Sequence, residues 1–120
     1  MKDAYFRFDD VGIKITNKKM KEALAKSVYE LQGEIRDEQV IPRALGTLQG
    51  EAFTVIDHSQ EKYMDMSFTT PYARRLYYHP EYNFRTDQNP NAQGLWMRHW
   101  LKGGKYAGRL AEIFDKVLKL

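Results

Sequence analysis

The spacing of apolar positions changes several times along the chain. Phe6 and Phe8 alternate with Arg7 and Asp9, and Val11, Ile13 and Ile15 alternate with Gly12 and Lys14. Residues 4 to 15 therefore carry the period of extended strand, and Asp9-Asp10 with the nearby Gly12 supply a turn or bulge between the two runs. At Asn17, a favourable N-cap type, the pattern becomes helical. Met20, Leu24, Val28, Leu31 and Ile35 form one apolar stripe, while Lys18, Lys19, Lys21, Glu22, Lys26 and Glu30 fall mostly opposite it. Glu22 precedes Lys26 by one turn, a favourable but small pairing. Gly33 costs about 1 kcal/mol relative to alanine and points to a close neighbour at that position. Pro42 sets the helix end near Glu38 or Gln39.

Pro42 to Gly50 is a connector containing two glycines. Glu51 to Asp57 and Lys62 to Thr69 then return to alternation, through Phe53 and Val55 and through Met64, Met66 and Phe68. His58-Ser59-Gln60-Glu61 is short and polar enough to join them as a hairpin. The apolar face of that hairpin is the natural seat for the stripe of the long helix. Thr70-Pro71 starts a short helix that Pro80 stops, since threonine caps and proline suits the first helical position. A polar loop runs from His79 to Asn91. Asn89-Pro90 offers a second start, for a helix of about three turns carrying Leu95, Trp96, Met97, Trp100 and Leu101. Gly103-Gly104 breaks or hinges it, and Lys105 to Leu118 resumes helical spacing through Tyr106, Leu110, Ile113 and Val117, widened by Phe114 and Leu118.

These elements predict a single α+β domain over residues 1–120. Its long N-terminal amphipathic helix packs on an antiparallel sheet, followed by a short Pro-Tyr-Ala helix and C-terminal helices. A composition of 42% hydrophobic and 29% charged residues agrees with a globular chain. The net charge of +3 permits an acidic or nucleic-acid partner without requiring one. With no cysteine, disulfide and thiol chemistry are excluded. Met1 to Tyr5 lacks a charged-then-apolar leader, and no apolar run reaches membrane-spanning length. The expectation is a soluble protein without a membrane partner.

Candidate chemistry is thin. Asp57-His58-Ser59 holds the residue types of a hydrolase triad, but a triad needs side chains converging in line from separate elements, and consecutive turn residues diverge. His58, His79 and His99 share no metal-ligand spacing. Gly103-Gly104-Lys105 lacks the upstream glycine, the preceding strand and the following Ser or Thr of a phosphate loop. Asp9-Asp10 has no Glu-x-Lys strand to complete a nuclease site. No catalytic residue, metal or cofactor is expected.

The densest feature is Thr69 to Phe84, with five aromatics, two arginines and two prolines in sixteen residues. Arginine with tyrosine and tryptophan is the composition of protein–protein hot spots. Tyr72 and Leu76, four apart, are expected to anchor the short helix inward, and Trp96 and Trp100 to anchor the tail. Arg74, Arg75, Tyr78, Tyr82, Phe84 and Arg85 are left as the candidate interface. The alternative is a small basic nucleic-acid-binding module using Arg74, Arg75, Arg98 and neighbouring aromatics.

Pro71-Tyr72-Ala73-Arg74-Arg75-Leu76-Tyr77-Tyr78-His79-Pro80-Glu81-Tyr82-Asn83-Phe84 carries a resemblance, together with Asn89-Pro90-Asn91-Ala92, Trp96 and Trp100 to Lys105. The chain resembles the small minor capsid proteins of tailed bacteriophages and prophages of Gram-positive bacteria. Ile41 to Gly50 fits the family's proline, then glycine-x-leucine connector. It departs at Ala44-Leu45, where the broader group often carries an acid and a threonine. The resemblance implies a non-enzymatic virion protein similar to head–tail joining, neck or tail-completion components. Such proteins act as rings around the DNA channel, bound to portal-side or tail-side neighbours, with weak non-specific DNA contact as a further possibility.

Overall fold

A computed structural model describes residues 4–38, 53–69, 73–79, 81, 91 and 93–119. The connector at 42–50, the cap at Thr70-Pro71 and most of the loop between Pro80 and Pro90 lie outside the described residues. The architecture is mixed α+β. Strand β1 spans Ala4–Phe8, helix α1 Lys18–Asp37, strand β2 Phe53–His58 and strand β3 Tyr63–Phe68. Helix α2 covers Ala73–Tyr77 and helix α3 Arg109–Leu118. The sheet is antiparallel in the order β1-β3-β2, so the second strand of the hairpin is central.

Helix α1 follows its sequence closely. The Asn17 side chain accepts a bond from the Met20 amide at 2.9 Å, satisfying one of the helix's free N-terminal donors. Leu24, Val28, Leu31 and Ile35 are buried as one stripe. They meet the sheet face formed by Phe53, Met64, Met66 and Phe68 in a single core cluster. Polar atoms of α1 also hold the sheet edge. Gln32 Nε2 and Arg36 Nη2 both donate to the Phe53 carbonyl, at 2.9 and 3.1 Å, on edge strand β2. Buried Ser27 returns its hydroxyl to the Ala23 carbonyl at 2.6 Å.

Alternation fixes which strand residues face inward. Phe6, Met66 and Val55 are register partners on the inner side, as are Ala4, Phe68 and Phe53. On the other side Arg7 lies 3.9 Å over the Tyr63 ring and donates to Asp65 at 3.0 Å, its own register partner. Ser67 shares that face, between Tyr5 and Thr54, yet it is fully buried. The hairpin closes through a 3₁₀ turn at Ser59–Glu61, with Lys62 in the left-handed region at φ 71°.

Four expectations need correction. Extended structure stops at Phe8; the Gly12 amide donates to Asp10 Oδ1 at 3.0 Å with Gly12 at φ 86°. That Asx turn drives Val11 and Ile15 into the core as isolated plugs. Residues 95–101 form turns and a 3₁₀ segment, Arg98–Trp100, where a three-turn helix was expected. Leu95, at φ 48°, leaves the helical region of the backbone and donates its amide to the Tyr77 carbonyl at 2.8 Å, which interrupts any helix running through it. The tail helix begins at Arg109, because 101–108 double back: Tyr106 N donates to His99 O at 2.6 Å and Gly104 N to Leu101 O at 2.9 Å. A Cβ at Gly104 would collide with the carbonyls of Arg98 and His99, so glycine is required there.

The fourth concerns Gly33. A Cβ there meets nothing within 4 Å, so no close neighbour explains the glycine. Gly33→Ala should therefore stabilise the fold by about 0.5–1 kcal/mol, read as a higher urea midpoint at unchanged m-value. A loss of stability would contradict the open environment.

Candidate interaction surface

The hydrolase-like run separates as its chemistry demands. Asp57 Oδ1 accepts from the Ser59 amide at 2.8 Å. Hydrogen bonds from the Ser59 hydroxyl and amide hold the Asp57 carboxyl below the usual carboxylate range. His58 turns elsewhere: its Nδ1 is 3.2 Å from Glu61 and its ring stacks on Tyr63 at 4.8 Å. Asp57 and Ser59 thus meet without an imidazole between them, which is a turn and not a triad. His79 Nδ1 contacts Glu81 at 2.7 Å, and this bond lowers the Glu81 carboxyl. No group of three or more metal-ligating side chains occurs among the described residues. None of their helices is long and apolar enough to cross a membrane.

The aromatic and arginine-rich stretch divides between core and surface. Arg74 and Arg75 are exposed on α2, and Tyr78 is 58% exposed. Leu76 is half-buried. Tyr77 is the residue that α2 buries, at 3% exposure. Its ring meets Phe6 at 5.0 Å and Trp96 at 4.9 Å. A five-residue helix starting at Ala73 turns Tyr77 and Ala73 inward together, four apart, and carries Leu76 to the flank. Tyr72, Tyr82, Phe84 and Arg85 lie outside the described residues. Trp96 is fully buried and Trp100 nearly so. The Trp96 Nε1 donor and the Ser67 Oγ are buried without a hydrogen-bond partner among the described residues. Arg98 Nη2 donates to Gln93 at 2.8 Å.

A second surface was not singled out by the sequence. The C-terminal end of α1 and the doubled-back segment 99–109 enclose two adjoining hollows of about 320 and 230 Å³. They share Glu38, Trp100 and Tyr106, so they form one groove. Trp100 and Tyr106 line it with rings 5.5 Å apart, and His99 lies 6.3 Å from Tyr106. Arg109 closes one end, donating from Nε to both Glu34 oxygens at 3.0 Å and from Nη1 to Glu112 at 3.1 Å. The two carboxylates raise the Arg109 pKa, Glu34 first. At the other end Asn91 Nδ2 donates to the Glu38 carbonyl at 2.8 Å. Burial, then Lys105 and Arg98, lower the His99 pKa and favour neutral imidazole.

To a groove that Lys105 and Arg109 also line, Asp37 and Glu38 bring negative charge. They are the last residue and the C-cap of α1, where the helix already presents negative partial charge. Neither carboxylate has an ion-pair partner among the described residues. No family model, curated protein or solved structure matches the chain.

Two measurements check this geometry. Burial pushes the Tyr77 phenol up from 10.0 to about 12, so the ultraviolet titration should contain a late-ionising fraction that Tyr77→Phe removes. Since the folded-state value is the higher one, Tyr77's contribution is complete below pH 10 and is lost as pH rises through about 12. Separately, Asp37→Asn with Glu38→Gln should leave thermal stability unchanged or raise it by about 0.3–1 kcal/mol, because each removes an anion from a helix C-terminus. A marked drop in Tm would show that these carboxylates hold the fold together.

Proposed function

We propose that this chain is a non-enzymatic structural protein of a tailed-phage virion, a minor capsid, head–tail joining or neck component. The reading rests on the run Pro71 to Phe84 with Trp100 to Lys105, whose resemblance to that family spans nearly the whole chain. The division of that run supports it: Tyr77 is locked in the core, while Arg74, Arg75 and Tyr78 on the same short segment are exposed. Buried anchor and exposed Arg/Tyr pair is the composition of an interface hot spot. In this reading α2 begins at Pro71-Tyr72, capped by Thr70. Tyr82, Phe84 and Arg85 belong to the same docking surface. Copies of the chain form a ring around the DNA channel between portal-side and tail-side proteins, in a virion assembled in the host cytoplasm.

Removing the gene from its phage should yield heads that fail to join tails or retain DNA, scored by electron microscopy and plaque count. Fully infectious particles from that deletion would falsify the assembly role. Tight DNA binding by the isolated chain that falls steeply with salt would favour the nucleic-acid module instead.

A further inference from the structure

The outward side of α1 carries residues that the fold does not use. Glu22, Lys26, Tyr29, Gly33 and Asp37 step by 4, 3, 4 and 4, so they form one stripe opposite the core. Tyr29, at its middle, is 50% exposed. One turn on, a Cβ at Gly33 would meet nothing within 4 Å, although glycine weakens a helix interior. Lys26 and Asp37 are both exposed and have no ion-pair partner among the described residues.

The charge of α1 runs against its dipole from end to end. Lys18 to Val28 holds four lysines and one glutamate, and Tyr29 to Glu38 holds four acids and one arginine. The first turn has no acid, and Arg36, the base of the last turn, is directed inward to the Phe53 carbonyl. A basic N-terminal half and an acidic C-terminal half both oppose the backbone partial charges, so this polarity does not serve the isolated helix. It is complementary to the same helix running the other way. That arrangement sets base against acid at both ends and places the two dipoles antiparallel.

We infer that α1 pairs antiparallel with α1 of a second copy of this chain, about a twofold axis level with Leu31. The Tyr29 ring of each copy lies over Gly33 of the other, and Lys26 of each faces Asp37 of the other. Tyr29 and Gly33 are equally far from that level, so each contact occurs twice. Lys26 lies five residues to one side and Asp37 six to the other, a mismatch of about 1.5 Å in height that a lysine stem spans. Gly33 lets the backbone come close and gives the tyrosine ring a flat seat. A contact along one helix is small and its charges are exposed, so the pair is weak and salt-sensitive. An isologous contact closes at two copies, so it is separate from the ring of the assembly reading and holds or fails without it.

The test is sedimentation equilibrium of the full chain up to millimolar concentration, at low and at high salt. At low salt the mass should rise from monomer toward dimer, and high salt should weaken the association. Lys26→Glu sets like charges against each other twice and should weaken dimerisation about tenfold or more. Adding Asp37→Lys reverses both members and should restore the dimer. Gly33→Leu fills the seat, so its dimer should be lost while its urea midpoint is no lower than that of the unaltered chain. Urea midpoints of the charge variants are read alongside, which separates loss of association from loss of fold. A chain that stays monomeric at millimolar concentration overturns the inference and leaves this face to another protein. Association that Lys26→Glu does not weaken, that the double reversal does not restore, or that Gly33→Leu leaves intact places the contact elsewhere and overturns it as well.

Discussion

Phe68 is the point at which the separate parts of this molecule are joined. It lies at the end of the central strand, stacked on Phe53 at 4.4 Å and edge-on to Phe6 at 6.0 Å, which ties the three strands together through one ring. The same ring meets Trp96 edge-on at 5.3 Å, and Trp96 meets Tyr77. Strand, short helix and the segment 94–100 therefore converge on one aromatic cluster. Edge-to-face pairs of this kind contribute about 0.5–1.5 kcal/mol each beyond burial. Their larger consequence is geometric. Segment 94–100 has no regular helix of its own, and it is placed by what Trp96 packs against.

That dependence explains which parts of the structure could be read from the chain. Helix α1 was legible because three local signals agree: the Asn17 cap, the stripe from Met20 to Ile35, and the charged face opposite. The hairpin was legible because alternation at Phe53 to Val55 and Met64 to Phe68 survives intact. Residues 95–101 misled because Leu95, Trp96, Met97, Trp100 and Leu101 have helical spacing, yet the Leu95 amide is taken by the Tyr77 carbonyl, a contact from another element. Spacing carries no information about such a bond. Val11 to Ile15 misled in the same way, since an Asx turn at Asp10 overrides alternation.

The groove was illegible for a different reason. Its carboxylates and its aromatic wall are more than sixty positions apart in sequence, and each is unremarked in its own neighbourhood. Asp37 and Glu38 read as an ordinary polar helix end, and Trp100 and Tyr106 as apolar anchors. Their meaning arises where α3 packs along α1 and carries segment 99–109 with it. One local signal was present: two acids at a helix C-terminus oppose the backbone dipole, and such conflicts concentrate at places that do something besides fold. The α2 surface shows the converse. Its residue types were conspicuous, but Tyr77, the member that fixes it to the core, was indistinguishable in sequence from the exposed Tyr78 beside it.

The close approach at Gly104 bears on how the chain path near it can change. With no room for a Cβ against the Arg98 and His99 carbonyls, and with Tyr106 tied back to His99, the crossing is set by main-chain contact. A side chain that loses its packing partner can adopt another rotamer, but two backbones in contact have no such freedom. Any residue other than glycine at position 104 therefore has to displace the crossing as a whole, and Trp100 and Tyr106 with it.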